Sequence, residues 1–353
     1  MIAYHVIKKW RRRQADQAAL ANQAALATLE APPTTEARPR AAAVARPVAT
    51  ATGDTVIEAQ GLVKRYGSLL AVDDISFSVR AGEIFGLLGP NGAGKTTTLE
   101  MIEGLRRPDA GDALVLGRSV QRQPRAIKER IGVQLQTTAL PTNMTVAEAI
   151  DLFGAFYLHR RPTVDLLRDF DLTEKADSFT ESLSGGQVQR LSIALALVND
   201  PEIVFLDEPT TGLDPQARLN LWDVIEGVRA RGQTVVLTTH YMEEAERLCD
   251  RLAIVDRGKI VALGTPTGLI GQYAPGAAIE FEAPDAAPFR AIDGVERVED
   301  EGDRISLTTQ QPERVLAQLF APGTGLPPIR NLRVHQGRLE DVFIALTGRK
   351  LQP

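Results

Sequence analysis

The stretch Ile84-Phe85-Gly86-Leu87-Leu88-Gly89-Pro90-Asn91-Gly92-Ala93-Gly94-Lys95-Thr96-Thr97 decides the fold. Ile84 to Leu88 is an apolar run of strand length, which fits a parallel strand buried on both faces. It empties into Gly89–Thr96, which fits the phosphate-loop pattern. The glycines let backbone N–H groups turn toward one point and cradle anionic oxygens. A helix expected from about Lys95 aims its positive end at the same place. Gly89, Pro90, Asn91, Gly92, Ala93, Gly94, Lys95, Thr96 and Thr97 are therefore the candidate nucleotide-binding residues. Lys95 is placed to reach the β- and γ-phosphates, and the Thr96 hydroxyl to ligate magnesium. The alternative is a chance glycine-rich turn, which the preceding strand argues against. Taken alone, the loop says nucleotide binding and not which kind.

Two further apolar runs carry the same logic. Ile203-Val204-Phe205-Leu206 ends in Asp207-Glu208. Val235-Val236-Leu237 runs through Thr238-Thr239 to His240. In parallel sheets, ligands bind at the carboxyl ends of the strands. All three runs end in residue types useful for phosphate chemistry. Asp207 is placed to hold magnesium, directly or through water, and Glu208 to polarise the attacking water. A lone histidine is usually structural; the position of His240 at a strand end in this array favours a role in the site.

A second glycine-rich helix start follows a different rule. Leu183-Ser184-Gly185-Gly186-Gln187 leads into the apolar stretch Leu191–Val198, which reads as a helix. Ser184 can cap it, and the two glycines leave backbone N–H groups open. Phosphate-loop proteins need only one such anion site. A second makes sense if it faces the γ-phosphate of an ATP held by another molecule.

Together, Leu183–Gln187, the phosphate loop and Asp207-Glu208 resemble the nucleotide-binding domain of ABC ATPases, over about Val56 to Thr267. The resemblance implies an α/β fold: a phosphate-loop NTPase core of ABC type with a helical subdomain at about 137–182. Met144 to Ile150 starts a helix there. Tyr66 resembles the aromatic residue that stacks on adenine, where the alternative is an ordinary packed tyrosine. Gln136 resembles the glutamine that senses the γ-phosphate and magnesium, with Gln134 a nearby competitor. Gly212-Leu213-Asp214-Pro215 resembles the loop that communicates across the dimer through Asp214, and His240 the histidine that contacts the γ-phosphate. Glu208, His240, Gln136 and Lys95 are then the catalytic set, and Thr96, Gln136 and Asp207 the magnesium set. Leu183, Ser184, Gly185, Gly186 and Gln187 serve an ATP bound to the other subunit. Val188 departs from the polar residue common after the signature glutamine.

Three longer stretches are similar to the daunorubicin-resistance type of bacterial exporter ATPases: Asp207–Pro215, Thr238–Glu246 and Leu339–Gly348. That branch implies a small C-terminal domain. From about Tyr273 the pattern changes accordingly. Ala278–Phe281, Arg304–Thr309 and Ile329–Val334 alternate, with a turn at Asp300-Glu301-Gly302-Asp303. Pro312–Phe320 and Leu339–Leu346 look helical. A small α+β domain over 273–353 is expected, behind an ATPase domain at 54–272.

Composition sets the outer limits. The chain has 353 residues, 44% hydrophobic and 24% charged, enough for two ordinary domains. Its one cysteine, Cys249, excludes an intrachain disulfide and a zinc-finger-like cluster. No run of about 18 apolar residues is present, so a transport role needs a separate membrane subunit. The net charge of −5 is uneven: residues 1–53 hold eight Lys/Arg against three Asp/Glu, leaving −10 for the rest. An acidic body with a basic tail is not a typical nucleic-acid binder. The basic extension 1–53 combines an Ala-rich part with an Ala/Pro/Arg/Thr-rich linker. It reads as a dispensable tail, a short membrane-surface helix or the product of a mis-called start codon.

The expected function is thus ATP binding and hydrolysis, with ATP and Mg2+ as cofactors. The expected partners are a second ATPase subunit, most simply a second copy, and a separate transmembrane permease, with no nucleic acid. This implies a position on the cytoplasmic face of the inner membrane, peripheral through the permease. The rivals are an importer ATPase and a soluble ABC ATPase in DNA repair or translation. The coiled coil, zinc cysteines or tandem cores usual in the soluble class are not visible.

Overall fold

The computed structural model describes residues 54–134, 140–300, 302 and 304–349. The basic extension 1–53 and the candidate Gln136 lie outside the described residues, as do Glu301 and Asp303 of the expected turn.

In chain order the strands and helices begin with β1 (Thr55–Tyr66), β2 (Leu69–Arg80), β3 (Ile84–Leu88) and α1 (Lys95–Ile102). Next come β4 (Ala110–Val115), β5 (Arg118–Ser119), α2 (Pro124–Lys128), β6 (Ile131–Gln134), α3 (Val146–Gly154), α4 (Thr163–Asp169) and α5 (Gly185–Ala196). The central part continues with β7 (Ile203–Asp207), α6 (Pro215–Ala230), β8 (Thr234–Thr239), α7 (Met242–Leu248), β9 (Arg251–Asp256), β10 (Lys259–Gly264) and α8 (Pro266–Tyr273). The chain closes with β11 (Ala277–Glu282), β12 (Arg297–Asp300), β13 (Arg304–Thr309), α9 (Pro312–Leu319), β14 (Arg330–Gln336) and α10 (Leu339–Thr347).

The central sheet has the order β10-β9-β3-β8-β7-β6. All its pairings are parallel except the edge pair β9–β10. Every residue of β3, β7 and β8 is buried, as expected for strands covered by helices on both faces. The register aligns their ends: Leu88 lies opposite Thr239, and Asp207 opposite Thr238. The residues that follow these strands therefore leave the sheet together.

An antiparallel sheet, β2-β1-β4-β5, covers one side of this core. Its inward residues Ile57, Leu62, Val72, Ile75 and Val79 pack with Phe85, Leu87, Phe205 and Val236 of the central sheet. Fully burying each such side chain is worth about 1.5–3 kcal/mol. The opposite face packs against α5, α6 and the helices of the 137–182 segment. Val146, Ile150, Leu166 and Phe170 share one core with Leu191, Leu195 and Leu206. Thr145 begins α3 with a capping box: its side chain accepts from the Glu148 amide, and the Glu148 side chain accepts from the Thr145 amide.

A third sheet, β12-β13-β11-β14, has its own core around Ile279, Phe281, Phe289, Ile305, Leu307 and Val315. The last helix does not belong to that core. Leu339, Val342 and Phe343 of α10 are buried with Leu269 of α8 in the core of the ATPase portion. The Leu339 amide donates to Glu246 Oε1 of α7 at 2.5 Å, and Arg349 pairs with Asp256. Gly337 makes the return possible, since a Cβ there would stand 2.3 Å from the Ala274 carbonyl oxygen.

Candidate active site

The phosphate loop Gly89–Gly94 lies between β3 and α1. Gly94 has φ +103, and a Cβ there would stand 2.4 Å from the Ala71 carbonyl oxygen. At Gly89 a Cβ would lie 2.1 Å from the Val255 carbonyl oxygen, so β9 and the β1–β2 hairpin clamp the loop from two sides. Lys95 is 4% exposed. Its ammonium donates to the Gly89 carbonyl at 2.8 Å and the Pro90 carbonyl at 3.1 Å, and it lies 3.3 Å from Glu208 Oε1. Burial holds its pKa below the ordinary lysine value, against the upward pull of Glu208 and Asp207.

Asp207 and Glu208 end β7 inside the protein. The Thr96 hydroxyl donates to Asp207 Oδ1 at 3.2 Å, and the Thr238 hydroxyl donates to the same oxygen at 2.5 Å. Thr238 also accepts from the Glu208 amide at 2.9 Å, so one β8 hydroxyl holds both acidic residues. Glu208 adopts φ +46, a left-handed conformation that costs a non-glycine residue on the order of 1–3 kcal/mol. The turn aims its carboxylate at Lys95, at the Thr211 hydroxyl (3.2 Å) and at His240, whose Nδ1 lies 3.5 Å from Oε2.

Negative charge is in excess here. Burial raises the Asp207 pKa, with Glu208 adding to the shift. Glu103, 2% exposed at the end of α1, is pushed up to about 8 by burial and by the charges of Asp207 and Glu100. A buried hydroxyl–carboxylate pair in an electronegative pocket suits a hard divalent cation. No group of three or more His, Cys, Asp or Glu residues arranged to hold a metal occurs among the described residues. Magnesium in a phosphate site takes only one or two protein oxygens and completes its shell with phosphates and water, so Thr96 and Asp207 fit it.

The other expected residues fall in two groups. Tyr66 ends β1, is 41% exposed, and lies near Lys64 Nζ and Arg106 Cζ, at 5.9 and 5.4 Å from its ring centroid. Its hairpin leads into Ala71, which touches Gly94, so Tyr66 borders the loop. Strand β6, which precedes Gln136, ends at Gln134 opposite Leu206, beside Asp207.

The signature forms a separate surface. Ser184 caps α5 with a reciprocal pair: Ser184 Oγ accepts from the Gln187 amide at 3.4 Å, and Gln187 Oε1 accepts from the Ser184 amide at 3.0 Å. Ser184 to Gln187 line a cavity of about 500 Å³ together with Gly212, Leu213 and Asp214, and no phosphate-loop residue lines it. Asp214 caps α6 by accepting from the Ala217 amide at 2.9 Å. A Cβ on Gly185 would meet nothing closer than Leu213 at 3.8 Å, and one on Gly186 only Ala217 at 3.4 Å. The fold of a single chain does not demand these glycines.

Sequence reasoning missed Thr238 as a bridge, Thr211 as a partner of Glu208, and the buried carboxylates Glu103 and Glu244. For Thr238 a signal exists: register puts it opposite Asp207. For Glu244, helical spacing from His240 gives only weak notice.

Residues 72–211 match the family model for ABC transporters. The chain is 43% identical over 303 residues to the Nod factor export ATP-binding protein I of Burkholderia orbicola (strain AU 1054), covering 84% of this chain and 98% of that protein. It also resembles a solved ATP-binding subunit of an ABC transporter (TM-score 0.56, 32% identity, covering 62% of this chain and 94% of that one). A bacterial ABC transporter cassette solved as a dimer matches with TM-score 0.54 and 25% identity, over 59% of this chain and 98% of that one. The chain therefore belongs to the ATP-binding subunits of ABC transporters, and its activity is that of their ATPases.

Proposed function

We propose that this chain is the motor of an exporter: two copies bind two ATP molecules head to tail and drive a separate membrane permease. The observation that carries this reading is the split between two anion-binding helix starts. The phosphate loop gathers Lys95, Thr96, Asp207, Glu208 and His240 at one end of the sheet. The signature lines a cavity that shares none of those residues. Each is half of a site, and a second copy supplies the other half. The dimeric solved cassette and the export-named relatives support the same reading.

In this reading the loop N–H groups and Lys95 bind and orient the phosphates. Lys95 exchanges its carbonyl partners at Gly89 and Pro90 for phosphate oxygens, which costs little because it stays buried and paired. Thr96 and Asp207, joined by Gln136, would hold magnesium, which would supply neutralisation of the charge that builds on the phosphates. Glu208 orients the attacking water and takes its proton. His240, fixed beside Glu208, contacts the γ-phosphate. Tyr66 stacks on adenine, and the partner's Leu183–Gln187 closes over the γ-phosphate. Closure excludes water and hydrolysis reopens the dimer, which moves the permease.

The chain sits peripherally on the cytoplasmic face through the permease in this reading, which the export-named relatives support; among the described residues no helix is long and apolar enough to cross a membrane. The segment 137–182 exposes Phe156, Leu158, Val164 and Phe179 and is the surface proposed to meet it.

Glu208→Gln tests the core of this reading. It should keep ATP affinity, lose turnover by about 10²-fold or more, and accumulate an ATP-bound dimer in size-exclusion chromatography. Normal turnover would remove Glu208 as the base.

A further inference from the structure

Glu244 has no part in the mechanism above, yet it is 0% exposed, although its neighbour Glu243 on the same helix faces solvent. A buried carboxylate is costly, and a well-packed apolar residue would usually serve stability as well or better. Its contacts give a reason for it. Glu244 Oε1 accepts from the Thr210 hydroxyl at 2.8 Å and from Trp222 Nε1 at 3.0 Å. Burial raises its pKa, while the hydrogen bonds from Thr210 and Trp222 and the charge of Arg218 favour the ionised form. Arg218 itself lies over the ring of Tyr241 at 4.1 Å. One side chain on α7 thus bonds to the loop after Glu208 and to helix α6, and α7 itself starts at Tyr241, next to His240.

The two neighbours Thr210 and Thr211 face two different glutamates. Thr211 donates to Glu208 at 3.2 Å, and Thr210 donates to Glu244 at 2.8 Å. The same loop ends at Asp214, which starts α6 beside the signature cavity. The far flank of His240 is held by the same set: Tyr241 lies under Arg218, and its carbonyl accepts from the amide of Ala245, the residue after Glu244, at 3.2 Å. A shift of the loop that moves Thr211 against Glu208 also moves Thr210 against Glu244, and through it the helix start that follows His240.

We propose that Glu244 is a positioning residue that ties the loop Pro209–Asp214 to the His240 segment, so that contact at Asp214 sets the general base and the histidine together. This rests on the reading of Glu208 and His240 as the catalytic pair. Glu244 touches neither ATP nor water in this scheme; it acts through Thr210 and through the first turn of α7.

The test uses the full chain and two variants that each delete a bond to the same oxygen, the first nearly isosteric and the second also opening space in the core. Thr210→Val removes the link to the loop, and Trp222→Phe removes the link to α6. Thr210→Val should lower kcat about tenfold with KM for ATP changed less than about twofold, since misplacement of a catalytic group affects turnover and not binding. Thr210→Ser restores the hydroxyl and should restore kcat. Trp222→Phe should lower Tm with kcat within about twofold of wild type. Wild-type kcat in Thr210→Val would overturn the proposal. So would equal losses of kcat in both variants that track their losses of Tm, because Glu244 would then be structural only. Glu208→Gln, measured alongside, separates the two levels: normal turnover there overturns the underlying reading of the site, whereas its loss together with an unaffected Thr210→Val overturns the coupling alone.

Discussion

Lys95 Nζ and Glu208 Oε1 lie 3.3 Å apart, both inside the protein. The residue proposed to grip phosphate and the residue proposed to activate water are thus held against each other by the fold. Replacing Lys95 by Met removes the ammonium and, with it, the desolvation that lowers its pKa. ATP affinity should fall at least about 100-fold, and folding stability should fall by about 3 kcal/mol or more, since the buried Glu208 loses the ammonium beside it. Calorimetric titration with ATP and urea unfolding check the two halves.

Composite sites make a stronger test than any single variant. Lys95→Met spoils the loop half, and Gly185→Arg spoils the signature half while meeting only Leu213 at 3.8 Å inside its own chain. Each protein alone should be inactive. An equal mixture should regain about a quarter of wild-type activity, because about half the dimers are mixed and each holds one intact site. No recovery on mixing, with both proteins folded, would contradict sites shared between subunits.

Asp207→Asn should raise the magnesium concentration for half-maximal ATPase activity by about tenfold or more, because Thr96 and Thr238 then share a weaker oxygen. A magnesium titration of the steady-state rate reads this directly. An unchanged midpoint would place the ion elsewhere.

Glu103 makes stability depend on pH. Its folded pKa of about 8 lies above the ordinary glutamate value of 4.5, so the folded chain binds the extra proton. Stability from this group is therefore full below pH 4.5 and declines as pH rises toward 8. In metal-free buffer Glu103→Gln should gain roughly 3 kcal/mol on wild type between about pH 5.5 and 8. Parallel denaturant curves for the two proteins would refute the assignment.

The exposed apolar residues of the 137–182 segment give a fifth contrast. Phe156 is 64% exposed and Leu158 93%. Phe156→Ser with Leu158→Asp should leave ATPase activity of the isolated subunit within about twofold, since neither side chain supports the core. Recovery of the subunit with its permease from membranes should fall about tenfold or more. Undiminished recovery would move the docking surface elsewhere.

What the sequence reveals of this site is what chemistry makes local. The phosphate loop needs its glycines, lysine and threonine within one turn, and Asp207-Glu208 needs only the end of a buried strand. Both are contiguous, so both are legible. The strands β3, β7 and β8 are legible because burial on both faces removes polar residues from them. The antiparallel sheet is harder. Val56 to Arg80 mixes polar and apolar residues, and its pairing involves bulges between Ala59 and Leu62 that blur alternation. Thr238 and Glu244 are harder still: their partners Asp207, Thr210 and Trp222 stand 22–34 residues away, and only the register brings them together. Leu339–Leu346 is read as a helix and the structure has one at Leu339–Thr347, but periodicity cannot say which core its apolar face enters.

That helix decides how the chain could be recombined. With α10 seated on α8 and α7, the C-terminal sheet is an insertion flanked on both sides by ATPase core. A chimera that exchanges everything after Tyr273 would strip Leu269 of its cover and lose Arg349 from Asp256. The fold's own graft boundaries are the closely apposed Gly276 and Gly337, joined by a 3.0 Å backbone hydrogen bond. A foreign domain spliced between those two glycines would leave the motor's last helix in place.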